Sequence, residues 1–435
     1  MFNKSLIDKI NKKSAVIGII GLGYIGLPLK LRFSEVGYRT IGFDIDQSKV
    51  DNLRNGKSHI EQISSKAIVK AINNGSEFTS DFSRFGEVDV IMICVPTPIN
   101  QSGEPDISYI INVTNSIIPY LKNGQIVALE STTYPGTTDE VLKPMIESTG
   151  LRVGEDVFLV YSPERLDPGN PKFVIKNTPK ICSGTTLACL EVGLELYRKA
   201  IEKVVPVSST QTAEFTKLLE NIQRAVNIAL VNEMKIIAHG MGLDIHEVIR
   251  AAASKSFGFM TYYPGPGVGG HCIPINPPYL TWKAKEYGLK TRLIETAYEL
   301  NRSMPELIVS KITESLNKHH KFIVGSKILV LGIAYKKNID DTRESPSIKI
   351  MELLQQQGAE LNYSDPHVPV LPKLCKLPTL LSSVVLSAKA IKSYDCIVIA
   401  TDHDQFDYQL IKEHAELIID TRGVYLKPRA NIVKA

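Results

Sequence analysis

The sequence is short of the features that mark unusual folds. Among 435 residues there is one tryptophan, and aromatics make up only 7% of the chain. Six cysteines (Cys94, Cys182, Cys189, Cys272, Cys375 and Cys396) are too few for a disulfide framework in a chain of this length. No two stand in C-x-x-C spacing, so neither a zinc site nor a dithiol redox centre is expected, and the usage fits a reducing cytoplasm. An excess of one charge is also lacking: 50 Lys and Arg against 46 Asp and Glu leave a formal +4. Basic residues this evenly spread exclude a nucleic-acid footprint, although a small positive bias still steers a small anion. There is no long hydrophobic run. Residues 15–29 follow Lys4, Lys9, Lys12 and Lys13 and have the outline of a secretory leader, but they hold four glycines, Tyr24 and Pro28. They lack a small-residue cleavage site and fall below the ~18 apolar residues of a bilayer span, so neither leader nor anchor is expected.

What is present is an ordinary globular composition, 43% apolar and 22% charged, over a length that predicts two or three domains of ~150 residues. Residues 15–20 (AVIGII) read as a buried strand, followed by Gly21-Leu22-Gly23-Tyr24-Ile25-Gly26, a helical pattern to about Gly37, and a second strand at 40–43 that ends on Asp44. Gly21 permits the tight turn, Gly23 lets a pyrophosphate approach the backbone, and Gly26 lets the helix pack on the sheet. Asp44 is placed to accept from both hydroxyls of an adenosine ribose and to repel a 2′-phosphate, which favours NAD over NADP. Strands at 88–96 and 125–132, separated by a helix near 106–121, continue a doubly wound sheet.

A related plan recurs near the C-terminus. It has a strand at 327–334 ending in Gly332, a helix at 346–357, a strand at 359–363 before Asp365, and a buried strand at 394–402. Without a full GxGxxG, this lobe is expected to bind another phosphate-bearing ligand and not a second dinucleotide. Between the lobes, residues 208–239 hold neither Gly nor Pro and read as one helix of about 30 residues, started by a Ser208-x-x-Gln211 capping box. The fold class is therefore α/β: two Rossmann-like doubly wound lobes joined by a long central helix, with domains at 1–207, 208–310 and 311–435. Glu214, Lys217, Asn221 and Arg224 share one face of that helix. A solvated stripe is the plain alternative, but Asn221 is a poor helix former with a role to explain.

Cys272 follows the glycine-rich run PGPGVGGH and precedes Asn276-Pro277-Pro278, where Asn at the N-cap and Pro at the first helical position signal a helix start. The run's glycines allow close approach of a ligand. A cysteine just outside a helix N-terminus is biased toward thiolate, and a thiolate near a nicotinamide suits covalent catalysis on a carbonyl. A packing cysteine is the alternative.

Taken together, GLGYIGLP (21–28), CVPTP (94–98), STTYPGTT (131–138), SPERLDPG (162–169), EFTKLLEN (214–221), GPGVGGHCIPINP (265–277) and GIAYKKNIDDTRESPS (332–347) resemble the UDP-sugar 6-dehydrogenases of the UDP-glucose/GDP-mannose dehydrogenase family from end to end. The resemblance implies an NAD-dependent, four-electron oxidation of a nucleotide sugar's C6 alcohol to a carboxylate, through an aldehyde, a Cys272 thiohemiacetal and a thioester. It assigns Lys217 and Asn221 to the developing oxyanion. Thr132 and Glu164 are assigned to a water that passes protons and then attacks the thioester. Gly21, Gly23, Tyr24, Ile25 and Gly26 would take the NAD phosphates, Asp44 and Lys49 the ribose, and Thr97 and Thr132 the nicotinamide side. Lys336 and Arg343 would reach UDP or NAD phosphates. Glu164, Arg165, Arg250, Lys255, Tyr262, Tyr263, Gly265 and Gly269 would clasp the UDP-sugar, in a homodimer or larger homo-oligomer. The family commonly has Asp four residues after the cysteine. Here Asn276 stands, which keeps the cap but accepts no proton.

His271-Cys272-Ile273-Pro274-Ile275-Asn276 and Pro163-Glu164-Arg165 resemble the UDP-N-acetylhexosamine branch, most closely the UDP-N-acetylglucosamine enzymes of bacterial surface-polysaccharide synthesis. The C2 epimer, UDP-N-acetylmannosamine, is the alternative, and UDP-glucose a more distant one. Two rivals need no Cys272: a non-catalytic nucleotide-binding protein and a single-step hydroxyacid dehydrogenase.

Overall fold

In the computed structural model, residues 2–60, 62–100, 102–166, 173–270, 273–371, 381–427 and 429–435 are described. The chain divides into two compact units, residues 1–220 with 278–289 and residues 221–277 with 290–435.

The first unit is built on an eight-stranded sheet. Its strands are β1 (Ile17–Ile20), β2 (Thr40–Phe43), β3 (Glu77–Thr79), β4 (Val90–Ile93), β5 (Gln125–Leu129), β6 (Val157–Tyr161), β7 (Lys180–Gly184) and β8 (Val204–Pro206). Their order is β3-β2-β1-β4-β5-β6-β7-β8, and every pair is parallel except β6 with β7. The central strands are apolar except for Gln125 at the start of β5, and buried residue by residue, as parallel strands covered by helices on both faces must be. Ile17, Ile19, Ile91, Ile93, Val127 and Leu159 share one core with Phe33 and Tyr197 from the covering helices. The order reverses between β1 and β4, and in open α/β sheets ligands bind outside the carboxyl ends of strands at such a reversal.

The second unit carries a five-stranded, all-parallel sheet of β9 (Lys327–Leu331), β10 (Glu360–Ser364), β11 (Cys396–Ile399), β12 (Ile418–Asp420) and β13 (Ile432–Lys434), in the order β10-β9-β11-β12-β13. Its strands alternate between two cores. Ile328, Val330 and Val398 pack with Ile350 and Leu354 of the helix Pro346–Gln356, while Leu329, Leu331, Ile397 and Ile399 pack with Ile391 and Ile411 on the opposite face. Both faces are covered, so the second doubly wound lobe forms as its pattern predicts.

The spine is a single helix, Thr210–Gly240, of 31 residues. Its start differs from the expected Ser208 box: the Ser209 hydroxyl caps it, accepting the Thr212 N–H at 3.1 Å. The helix expected near 106–121 is an α-helix, Ser108–Ile117, followed by one 3-10 turn, because Pro119 lacks the donor an α-turn needs. No helix among the described residues is long and apolar enough to cross a membrane.

Candidate active site

In the first unit the glycine turn is shaped by contacts that side chains would block. Gly21 sits at φ +88, and a Cβ there would lie 2.5 Å from the Cys94 carbonyl oxygen. A Cβ on Gly26 would lie 2.0 Å from the Gly21 oxygen, so only glycine lets the helix Gly26–Glu35 begin this close to β1. Gly23 differs: a Cβ would meet nothing within 4 Å, which is the open ground a pyrophosphate needs. Tyr24 and Ile25, half-buried, complete the turn. Asp44 is held beside it, with Oδ2 accepting the Leu22 N–H at 2.8 Å and Lys49 Nζ at 3.1 Å, and Oδ1 accepting the Asp46 N–H at 3.0 Å. His59 Nε2, 2.8 Å from the Leu22 oxygen, braces the same turn. The sequence pattern gave no reason to single out His59. An open cradle beside an oriented carboxylate fits an adenine dinucleotide.

The carboxyl ends of β4, β5 and β6 are tied to one another. The Ser131 hydroxyl donates to the Val95 oxygen at 2.7 Å, joining the turn of Thr97 to that of Thr132, and both threonines are buried. Tyr279 OH donates to the Pro98 oxygen at 2.9 Å. Glu164 is fixed by its own turn, Oε1 accepting the N–H groups of Arg165 and Leu166 at 2.6 Å each. Arg165 pairs with Glu220 at 2.5 Å and donates to the Pro179 oxygen at 2.8 Å. On the spine helix Lys217 is only 6% exposed, whereas Arg224 is exposed, so the predicted stripe is not solvated along its first two turns. Glu214 of that stripe is fully buried and accepts from the Gly136 N–H, the Thr138 N–H and the Thr138 hydroxyl at 2.6–2.9 Å. Burial pushes its carboxyl up to about 7 despite those donors. It holds the STTYPGTT segment, a part that a charge pattern alone does not disclose.

The second unit holds the remaining predicted site residues. Asn221, 5% exposed, donates from Nδ2 to Asn276 Oδ1. Asn276 was expected to cap its helix. Instead it is the first residue of the helix Asn276–Glu286, and the oxygen a cap would use is turned to the spine. The glycine run before it approaches the protein's own chain. The Gly265 N–H donates to Asn232 Oδ1 at 3.0 Å, and a Cβ on Gly265 would stand 2.7 Å from the Arg422 guanidinium. A Cβ on Gly269 would stand 2.5 Å from Tyr335, and the Gly270 N–H donates to the Arg343 oxygen at 2.9 Å. The close approach read from the sequence is thus made by protein at these glycines. Arg343 forks onto the buried Asp341 at 2.6–3.1 Å, and Lys336 is half-buried close by in sequence. Tyr262 OH donates to Gln223 Oε1 at 3.0 Å, Tyr263 stacks on His246, and Arg250 and Lys255 are exposed. His271 and Cys272 lie outside the described residues.

Two features explain why the second lobe differs from the first. Asp365 Oδ2 accepts the Ile333 N–H at 2.7 Å, the counterpart of Asp44 and Leu22, but the buried His403 closes it at 3.1 Å, at the place where a ribose hydroxyl would bind. In addition, Arg422 stands beside Gly265, and Lys235, 7% exposed and with no hydrogen-bond partner among the described residues, adds to the positive charge around Arg422. Neither cation carried a sequence signal. Burial, reinforced by Arg422, lowers the Lys235 ammonium to about 7. The unfolded chain holds that proton to about 10.5, so wild-type stability falls as pH drops from 10.5 toward 7. Lys235→Met is therefore expected to be more stable than wild type at pH 7. The gain should shrink by about 1.4 kcal/mol per pH unit up to pH 9, read by urea unfolding at each pH; a gain independent of pH contradicts a buried, destabilised cation.

The models of the UDP-glucose/GDP-mannose dehydrogenase family match the chain in order: the NAD-binding domain over residues 15–201, the central domain over 211–303 and the UDP-binding domain over 329–427. The UDP-N-acetyl-D-glucosamine 6-dehydrogenase of Pseudomonas aeruginosa is 34% identical over 397 residues, 91% of this chain and 92% of that protein. The UDP-N-acetyl-D-mannosamine dehydrogenase of Escherichia coli K12 is 35% identical over 426 residues, 94% of this chain and 99% of that one. Among solved structures, the UDP-D-ManNAc dehydrogenase of Pyrococcus horikoshii superposes with a TM-score of 0.87 at 32% identity, covering 96% of this chain and 98% of that one. A nucleotide cradle with its acid in the first unit, and a second lobe whose equivalent acid is closed, agree with the order of those domains. The chain belongs to the UDP-glucose/GDP-mannose dehydrogenase family and is an NAD-dependent UDP-sugar dehydrogenase.

Proposed function

We propose that this chain oxidises UDP-N-acetylglucosamine at C6 to the uronate, in the cytoplasm, for bacterial surface polysaccharide. The domains that do so are residues 1–207 for NAD, 208–310 for the spine and cysteine loop, and 311–435 for UDP. The observation that carries the substrate choice is the pair of turns Pro163-Glu164-Arg165 and Ile273-Pro274-Ile275-Asn276, together with relatives named for this sugar. The mannosamine epimer is the second reading, favoured by relatives and solved structures named for it. One stereocentre is worth roughly 1–3 kcal/mol of discrimination. Turnover on UDP-N-acetylglucosamine, UDP-N-acetylmannosamine and UDP-glucose, compared side by side, decides between them; a kcat/KM highest for either of the other two overturns the choice.

Bound NAD supplies the hydride acceptor for both oxidations. The chain's own residues do the rest. Glu164 and Thr132 hold a water that takes the C6 hydroxyl proton. The Cys272 thiolate adds to the aldehyde, Lys217 and Asn221 stabilise the oxyanion that forms, and the second oxidation leaves a thioester. Water held by Glu164 attacks that thioester and frees the thiolate and the acid. Asn276, engaged by Asn221, takes no proton. Asn276→Asp is therefore expected to add a titrating group to the kcat–pH profile while leaving NAD affinity unchanged; superimposable profiles contradict this division of labour.

We also propose that a second copy of the chain covers the spine. Leu230, Met234 and Ile237 are exposed at i, i+4 and i+7, an apolar stripe along one side of the helix that the exposed Met241 continues just past its end.

A further inference from the structure

A buried ion pair lies behind the turns of Thr132 and Glu164, and neither of its members carries a sequence motif. Lys180 opens β7 and is buried, and its Nζ is 2.5 Å from Glu130 Oε2. Glu130 follows β5 directly and has no solvent exposure. Its other oxygen accepts the Tyr197 hydroxyl. Lys180 Nζ also reaches the carbonyl oxygens of Ser162 and Pro163, each at 3.3 Å. These are the two residues before Glu164. The donors of that turn are used elsewhere: the Ser162 N–H goes to the Leu129 oxygen at 3.0 Å and the Ser162 hydroxyl to the Ile181 oxygen at 2.6 Å. Lys180 therefore supplies donors to the turn's carbonyls, while its partner Glu130 stands two residues before Thr132.

Stability alone is a weak reason for such a pair. Two charges brought out of water lose about as much hydration as their attraction returns, and apolar replacements of both are often neutral. What an apolar pair would not do is fix the end of β6 against the end of β5 through three directed N–H bonds. Burial raises the Glu130 carboxyl. On Lys180 burial acts the other way, but the attraction of Glu130 and Glu164 prevails and keeps the ammonium charged. The cation that grips the turn is thus also attracted by the Glu164 carboxylate.

We propose that Lys180, steadied by Glu130 and Tyr197, is a positioning residue that sets Glu164 relative to Thr132 for the attack of their water on the thioester, the later and geometrically stricter of its two tasks. The proposal rests on the reading of Glu164 and Thr132 given above. A misplacement of about 1 Å in a reacting geometry costs on the order of a hundredfold. A water that must attack a thioester is more exposed to that loss than the binding of NAD at the glycine turn.

The test compares wild type, Glu164→Gln, the double variant Glu130→Gln with Lys180→Met, and Tyr197→Phe. The double variant removes both charges together and leaves no unpaired ion in the core, while the amide oxygen introduced by Glu130→Gln still offers an acceptor to Tyr197. Each protein is mixed with UDP-sugar and excess NAD in a stopped-flow spectrometer, and its melting temperature is recorded. The expected result is a wild-type melting temperature and NAD KM in the double variant, with a burst of two NADH per active site followed by turnover slowed about a hundredfold. Tyr197→Phe should show the same split more weakly. Wild-type turnover in the double variant beside a slow Glu164→Gln overturns the role of Lys180 and leaves the reading of Glu164 intact. A reduced burst or a raised NAD KM overturns it in favour of general structural support. If the double variant does not fold, a wild-type ratio of burst to steady state in Tyr197→Phe overturns it. Wild-type turnover in Glu164→Gln removes the reading of Glu164 and this proposal with it.

Discussion

Replacing Cys272 by serine is expected to lower acid formation by on the order of a thousandfold or more, because the proposed route captures the aldehyde covalently only through this thiol. A serine hydroxyl has nearly the same volume but stays protonated near neutral pH, whereas a cysteine thiol ionises far more readily and the thiolate is the nucleophile. The first oxidation needs no thiolate, so the variant should still reduce NAD to NADH at the aldehyde stage while the acid fails to appear. Product analysis by ion-exchange chromatography, run beside NADH absorbance, measures both. Acid produced by Cys272→Ser at the wild-type rate contradicts the covalent route.

The second large effect concerns the cradle. Gly26→Ala would put a Cβ 2.0 Å from the Gly21 carbonyl oxygen and 3.1 Å from Cys94 Cβ. Both neighbours belong to the sheet end, so neither moves aside as a flexible side chain would. The helix Gly26–Glu35 must shift away from β1, and its N-terminus moves off the phosphate position with it. Overpacking of this kind costs about 1–3 kcal/mol of stability. A dinucleotide that relies on backbone N–H groups should bind at least about a hundredfold more weakly. Calorimetric titration with NAD measures this, with Gly23→Ala as the internal comparison: its Cβ meets no protein atom, so it should fold normally and lose affinity only through the ligand. Wild-type NAD affinity in Gly26→Ala would show that helix and sheet need not approach this closely.

The parts legible in the sequence were those in which one residue type answers a local backbone demand. Gly21 and Gly26 were readable because no other residue fits their turn, and Asp44 because a strand end fixes where a carboxylate can stand. The doubly wound lobes were readable because parallel strands buried on both faces leave unbroken apolar runs such as β4 and β11. Residues whose partners are far along the chain were not readable. Lys180 meets Glu130 across 50 positions and Glu214 meets Thr138 across 76. Lys180 is a single charged residue in an otherwise unremarkable segment, and Glu214, although it opens the motif EFTKLLEN, gives no sign there of its partner; only the fold supplies their reason. His403 is of the same kind: its closure of Asp365 is what separates the second lobe from the first. The Gly265–Gly270 run was readable as a demand for close approach but not for what approaches. That is settled by the neighbours Arg422 and Tyr335, which the sequence places far away. Ser209 in place of Ser208 is a smaller case, since adjacent serines compete for one cap and the helix register decides.

On the proposed route one chain carries a UDP-sugar's C6 alcohol through two successive oxidations to the carboxylate. The most direct measurement is the stoichiometry of NADH formed per UDP-sugar consumed, with limiting UDP-N-acetylglucosamine, excess NAD and the reaction run to completion. Two NADH for each molecule of UDP-uronate is the predicted result. One NADH for each molecule of sugar, with the aldehyde released, would contradict it.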